Sequence, residues 1–117
     1  MNFEISHNKN EALVKTQVDK LDATNAPELK AELTLLNKQG VNNIVIDMSA
    51  TKYCDSSGLS AVLTANRLCK DTNGKFVLCG LQENVLKLVQ IAQLDKVLSI
   101  SSDQQAALVE IRKLVLR

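Results

Sequence analysis

The sequence predicts an α/β fold: a mixed, largely parallel sheet of about five strands with about four helices. Two observations lead to this. Apolar residues switch along the chain between strand-like runs and helix-like spacings of three and four. After the first two strand-like segments, each later strand is followed by a helix, the order that right-handed parallel crossovers produce.

The first strand pair is read from Phe3 and Ile5, and from Leu13 through Val18, where apolar and polar residues alternate. His7-Asn8-Lys9-Asn10 is a polar link between them, suited to an antiparallel hairpin. Asn25-Ala26-Pro27-Glu28 has the form of a capping box: Asn25, or Thr24 in its place, accepts from helix amides while Glu28 reaches back. Pro27 suits a first helical turn, where its missing N–H costs nothing. Ala26, Leu29, Leu33 and Leu36 then form one apolar face, and Gly40 is the natural stop.

Ile44-Val45-Ile46-Asp47-Met48 reads as a central strand covered on at least one face. A helix from Ser56 to about Lys70 follows, with Leu59, Val62, Leu63 and Leu68 inward and Gly58, Ala61 and Ala65 allowing close approach. Asn73-Gly74 marks a turn before a strand over Lys75–Cys79 that ends at Gly80. Val85, Leu88, Val89 and Ala92 mark a third helix, and Val97–Ile100 a short strand. The last helix opens at Ser102-Asp103-Gln104-Gln105 and turns Leu108, Ile111 and Val115 inward. Asn84, Ser101 and Ser102 are expected as helix caps.

Bulk properties narrow the function. A chain of 117 residues suits one domain over 1–117 and buries enough surface to need no metal or disulfide. The net charge of +1 offers no electrostatic basis for a nucleic-acid or anionic-membrane partner. Phe3, Tyr53 and Phe76 are too scattered to stack bases. Cys54, Cys69 and Cys79 form no CxxC pair and read as reduced, packed thiols. The first residues lack a basic segment followed by an apolar run, and no apolar run approaches membrane-spanning length, so the expectation is a cytoplasmic protein.

Catalysis lacks its parts. His7 is the one histidine, placed in the hairpin link, so a triad through Ser56 or Ser57 has no convenient base. No nucleotide-binding fingerprint and no zinc spacing occur, and neither cofactor nor metal is implied. Asp19 and Asp22 read as solvated loop charges, and Tyr53 and Cys54 as packing beneath the loop. Parallel crossovers would gather Asp22, Thr24 and Asn25, then Tyr53 to Ser57, Gly80 to Asn84, and Ser101 to Asp103 at one edge, the usual binding edge of such sheets.

Cys54-Asp55-Ser56-Ser57-Gly58-Leu59 joins the central strand region to the second helix. As plain structure, Asp55 or Ser56 caps that helix. As a switch, a phosphate on this serine would add about −1.5 to −2 charges, tolerable at a helix start but hostile to a docked partner. The stretch resembles the phosphorylation motif of the STAS domain of bacterial anti-sigma-factor antagonists. Leu21-Asp22-Ala23-Thr24-Asn25-Ala26-Pro27-Glu28-Leu29 is similar to the family's other recurrent segment. The family often has glycine three residues before that aspartate, where this chain has Asp19.

The resemblance implies a non-enzymatic STAS-like single domain with Ser56 as phosphoacceptor and Ser57 as its competitor. It implies an anti-sigma-factor serine kinase as partner: binding that kinase frees a sigma factor, and a PP2C-type phosphatase resets the switch. Asp55 and Asp22 would support the interface, with Thr24, Asn25, Ser57, Gly58 and Asn84 beside them. The alternative it leaves open is a regulatory subunit of a lipid-transport ATPase or stress-signalling complex.

Overall fold

In the computed structural model, which describes residues 2–115, the apolar runs pair into a five-stranded sheet. In chain order, the elements that position the site begin with β1 (Phe3–His7), β2 (Glu11–Thr16) and the two-residue β3 (Lys20–Leu21). They continue with α1 (Ala26–Lys38), β4 (Asn43–Asp47), the two-residue β5 (Tyr53–Cys54) and α2 (Ser56–Asp71). The remainder is β6 (Phe76–Cys79), α3 (Glu83–Ile91), a 3-10 turn (Leu94–Lys96), β7 (Ser99–Ser101) and α4 (Gln104–Val115).

The main sheet has the order β1-β2-β4-β6-β7. β1 pairs antiparallel with β2, and every other pairing in that sheet is parallel. This is the mixed, largely parallel sheet expected from the strand–helix order. All five residues of β4 are buried, so the central strand is covered on both faces. One face carries Val14, Ile44, Ile46 and Leu78 against Leu29 and Leu33 of α1 and Val62 and Ala65 of α2. The other carries Val45, Val77 and Cys79 against Ala107 and Ile111 of α4. The inward faces of α1 and α2 follow the expected spacing, although Leu63 and Leu68 are only partly buried. In α4, Ile111 is buried and Leu108 partly so, and the side chain of Val115 lies outside the described residues.

Several local expectations are corrected. The hairpin link is Asn8-Lys9-Asn10, because His7 still pairs with Ala12 across the sheet. The final strand starts later than Val97. The amides of Val97 and Leu98 both donate to the Leu94 carbonyl, at 3.0 and 2.8 Å, and are spent in the 3-10 turn. Asn84 is not a cap, since Gln82 holds that position and Asn84 lies inside the first turn of α3. Ser101 ends β7, and the cap of α4 is Asp103, whose Oδ1 accepts from the Ala106 amide at 2.8 Å. Gly40 does end α1: its φ of 87° follows the C-cap Gln39.

β3 and β5 form a separate two-stranded parallel strip, which the sequence pattern did not suggest. The Asp19 carbonyl accepts from the amides of Lys52 and Tyr53 at 2.9 and 3.1 Å. Buried Thr51 donates to the Val18 carbonyl at 2.8 Å and shares a 2.7 Å hydrogen bond with the Thr16 hydroxyl. These bonds lock the chain after β2 to the chain after β4. Asp19 does this without a positive φ, so glycine is not required at its position.

Candidate functional site

The strip delivers the chain into α2. The Asp55 amide donates to the Leu21 carbonyl at 3.2 Å, and Asp55 Oδ1 accepts from the Gly58 amide at 3.0 Å. Asp55 is thus the N-cap, and Ser56 is the first helical residue. Of the two caps open on sequence, the structure selects Asp55. This leaves the Ser56 side chain free of capping duty: it is exposed, and among the described residues its hydroxyl has no protein partner.

Gly58 explains why α2 can begin here. A Cβ on it would lie 2.5 Å from Cys54 Sγ and 2.5 Å from the Leu21 carbonyl oxygen. Only a bare backbone lets the helix start sit directly on the strip. Gly58 is buried, so it shapes the surface from beneath.

The first loop is built separately. Asn25 stands at the N-cap of α1 but makes no side-chain cap, so the expected capping box does not form. Its Oδ1 accepts from the Asp22 amide at 3.0 Å and its Nδ2 donates to the Lys20 carbonyl at 2.8 Å, stapling the loop. Glu28 instead accepts from Asn2 Nδ2 at 3.1 Å. Asn25 is only 8% exposed and acts by holding Asp22 in place. Asp22 Oδ1 accepts both the Thr24 hydroxyl at 2.6 Å and the Thr24 amide at 3.0 Å. These two bonds, with a smaller contribution from the Lys20 charge, hold the Asp22 carboxyl below its ordinary pKa.

Two depressions flank this arrangement. One, of about 430 Å³, is lined by Lys20, Leu21, Asp22, Tyr53, Cys54 and Asp55. Tyr53 does not pack beneath the loop as expected. Strand alternation turns Cys54 inward and Tyr53 outward, 47% exposed, with Lys20 Nζ 5.9 Å from its ring centroid. The other depression, of about 300 Å³, lies between the starts of α1 and α2 and contains Ser56, Ser57, Ser60 and Lys30.

The structure therefore brings Asp22, Thr24, Asp55, Ser56, Ser57 and Gly58 to one end of the sheet. Asn84 lies on the adjoining α3, which packs on β5, and lines neither depression. That Lys20 of β3 and Lys30 of α1 line these depressions was not legible in the sequence, because a lone lysine carries no pattern of its own. His7 sits at the opposite end, where β2 begins, and is remote from the serines. Burial, reinforced by Asp55, pushes the Cys54 thiol up to about 12, so it is protonated and not a nucleophile at neutral pH.

Residues 3–107 match the STAS domain family. The chain belongs to that family. Among relatives of this STAS chain, the anti-sigma-B factor antagonist of Bacillus subtilis is 27% identical over 105 residues, 90% of this chain and 94% of the relative. That of Listeria monocytogenes is 29% identical over 83 residues, 70% and 72% of the two chains. The unphosphorylated antagonist SpoIIAA superposes with a TM-score of 0.82 at 19% identity, covering 95% of this chain and 96% of that one. The phosphorylated form of SpoIIAA from Bacillus gives 0.70 at 20% identity, with 89% and 95% covered. These structures share the STAS fold with this chain. Among the described residues, no helix is long and apolar enough to cross a membrane.

Proposed function

We propose that this STAS chain is an anti-sigma-factor antagonist that binds an anti-sigma serine kinase, so freeing a sigma factor, and is inactivated by phosphorylation of Ser56. A PP2C-type phosphatase resets it. The observation that carries the reading is the division of labour at α2. Asp55 caps the helix, so the exposed Ser56 hydroxyl has no structural task and can be modified without unmaking the fold. The relatives named as anti-sigma-B factor antagonists support an anti-sigma factor as the partner. A phosphate at Ser56 would add about −1.5 to −2 charges at the start of α2, on the face where the kinase docks. A partner seated there would then meet added bulk, new charge and a desolvation cost.

The test is incubation with the cognate kinase and ATP, followed by phosphosite mapping. Modification at Ser56 is expected; modification at Ser57 alone, or none, rejects the assignment. In a pull-down, Ser56→Asp should retain the fold and bind the kinase more weakly than wild type. Equal binding rejects the switch.

A further inference from the structure

We propose that Lys30 is the internal receptor of the phosphate on Ser56, its ammonium pairing with the phosphoryl oxygens in the groove between α1 and α2. This rests on the reading of Ser56 as phosphoacceptor and adds where the phosphate goes. The groove is formed by two facing helical rows. Ala26 and Lys30 are four residues apart on α1, and Ser56 and Ser60 are four apart on α2, so each pair projects from one face of its helix. Ala26, Pro27 and Ala23 are small and leave the space open; among the described residues Lys30 is the only charged one in the lining. The free volume of about 300 Å³ is several times that of a water molecule, room enough for a phosphoryl group.

Electrostatics selects this side. The other depression, which Ser56 does not line, contains both Asp22 and Asp55, with Lys20 as its cation. A dianion there would face two carboxylates. In the groove it faces one ammonium and the Ser60 hydroxyl and, among the described residues lining it, no carboxylate. Among the described residues Lys30 makes no ion pair, so no existing bridge must break for it to turn. Lysine suits the role because its flexible stem lets a point charge follow a group that appears only after modification. The consequence is that the starts of α1 and α2, already packed on one core and joined at their far ends through Asn37, gain an ionic tie in the phosphorylated state.

The experiment installs phosphoserine at position 56 of the full chain by semisynthesis and titrates it by 31P NMR. The second phosphate pKa should rise by about half a unit in both Lys30→Met and Lys30→Gln, as loss of one partly exposed ion pair implies. Lys30→Arg should restore the wild-type value. Identical titration curves in wild type and both neutral variants overturn the proposal, as does a failure of arginine to rescue. The phosphate is placed chemically, so a kinase that ignores Ser56 sinks the proposed function without touching this result. A normal kinase switch with flat titrations sinks only the role of Lys30.

Discussion

Gly58 lies against the Leu21 carbonyl so closely that a Cβ would meet that oxygen at 2.5 Å. The same backbone group accepts the Asp55 amide. The start of α2 and the β3–β5 strip are therefore one unit, and the serine loop inherits its position from backbone as much as from side chains. Gly58→Ala should force α2 away from the strip. An overpacking loss of about 1–3 kcal/mol is expected in urea unfolding. Unchanged stability would mean that the helix start is free to shift.

The Asp22 carboxyl should titrate below its ordinary value of 3.8, because Thr24 donates to it twice. A carboxyl depressed in the folded state adds stability that is present above its unfolded pKa and is lost as pH falls through the folded value. The window is thus acid, beginning near 3.8 and extending below it. Thr24→Val removes the hydroxyl and keeps the amide. By NMR titration it should return Asp22 part of the way towards 3.8; an unmoved carboxyl would show that the hydroxyl bond is not formed in solution.

At the alkaline end the cysteines act with the opposite sign. Cys54, Cys69 and Cys79 are each raised from 9.0 to about 12, chiefly by burial. The unfolded chain releases these protons above about pH 9 while the folded one keeps them, so stability should decline from about 9 towards 12. Cys69→Ala should make that decline shallower, at the cost of a small cavity. In the native protein at neutral pH, the fully buried thiols of Cys69 and Cys79 should resist a disulfide reagent and react once urea is added.

How much of this was legible depended on length and period. β4 and β6 are continuous apolar runs, and the inward faces of α1 and α2 repeat at helical spacing, so the strand–helix alternation and the largely parallel sheet followed from them. The β3–β5 strip was not legible, since two residues carry no period and its bonds come from backbone groups of Asp19, Leu21 and Lys52. The capping box failed for a related reason. Asn25 has the right side chain at the right spacing, but a loop carbonyl and a loop amide compete for it and win. In the site, Ser56 and Asp55 stood out by motif. Lys30 did not, because it joins them only through the packing of two helices distant in sequence.

The division of labour between Asp55 and Ser56 gives the sharpest mutational contrast. Asp55 accepts the Gly58 amide through its side chain, so Asp55→Ala should cost about 1 kcal/mol of stability, whereas Asp55→Asn keeps an acceptor and should cost much less. Ser56→Ala removes a hydroxyl that has no protein partner among the described residues, so its stability should stay within about 0.5 kcal/mol of wild type. Chemical denaturation of the three variants measures this. If Ser56→Ala were as damaging as Asp55→Ala, the serine would be carrying the helix start, and phosphorylating it would disturb the fold itself. The expected order, with Asp55→Ala weakest and Ser56→Ala near wild type, is what allows a phosphate to alter the binding face while leaving the domain beneath it intact.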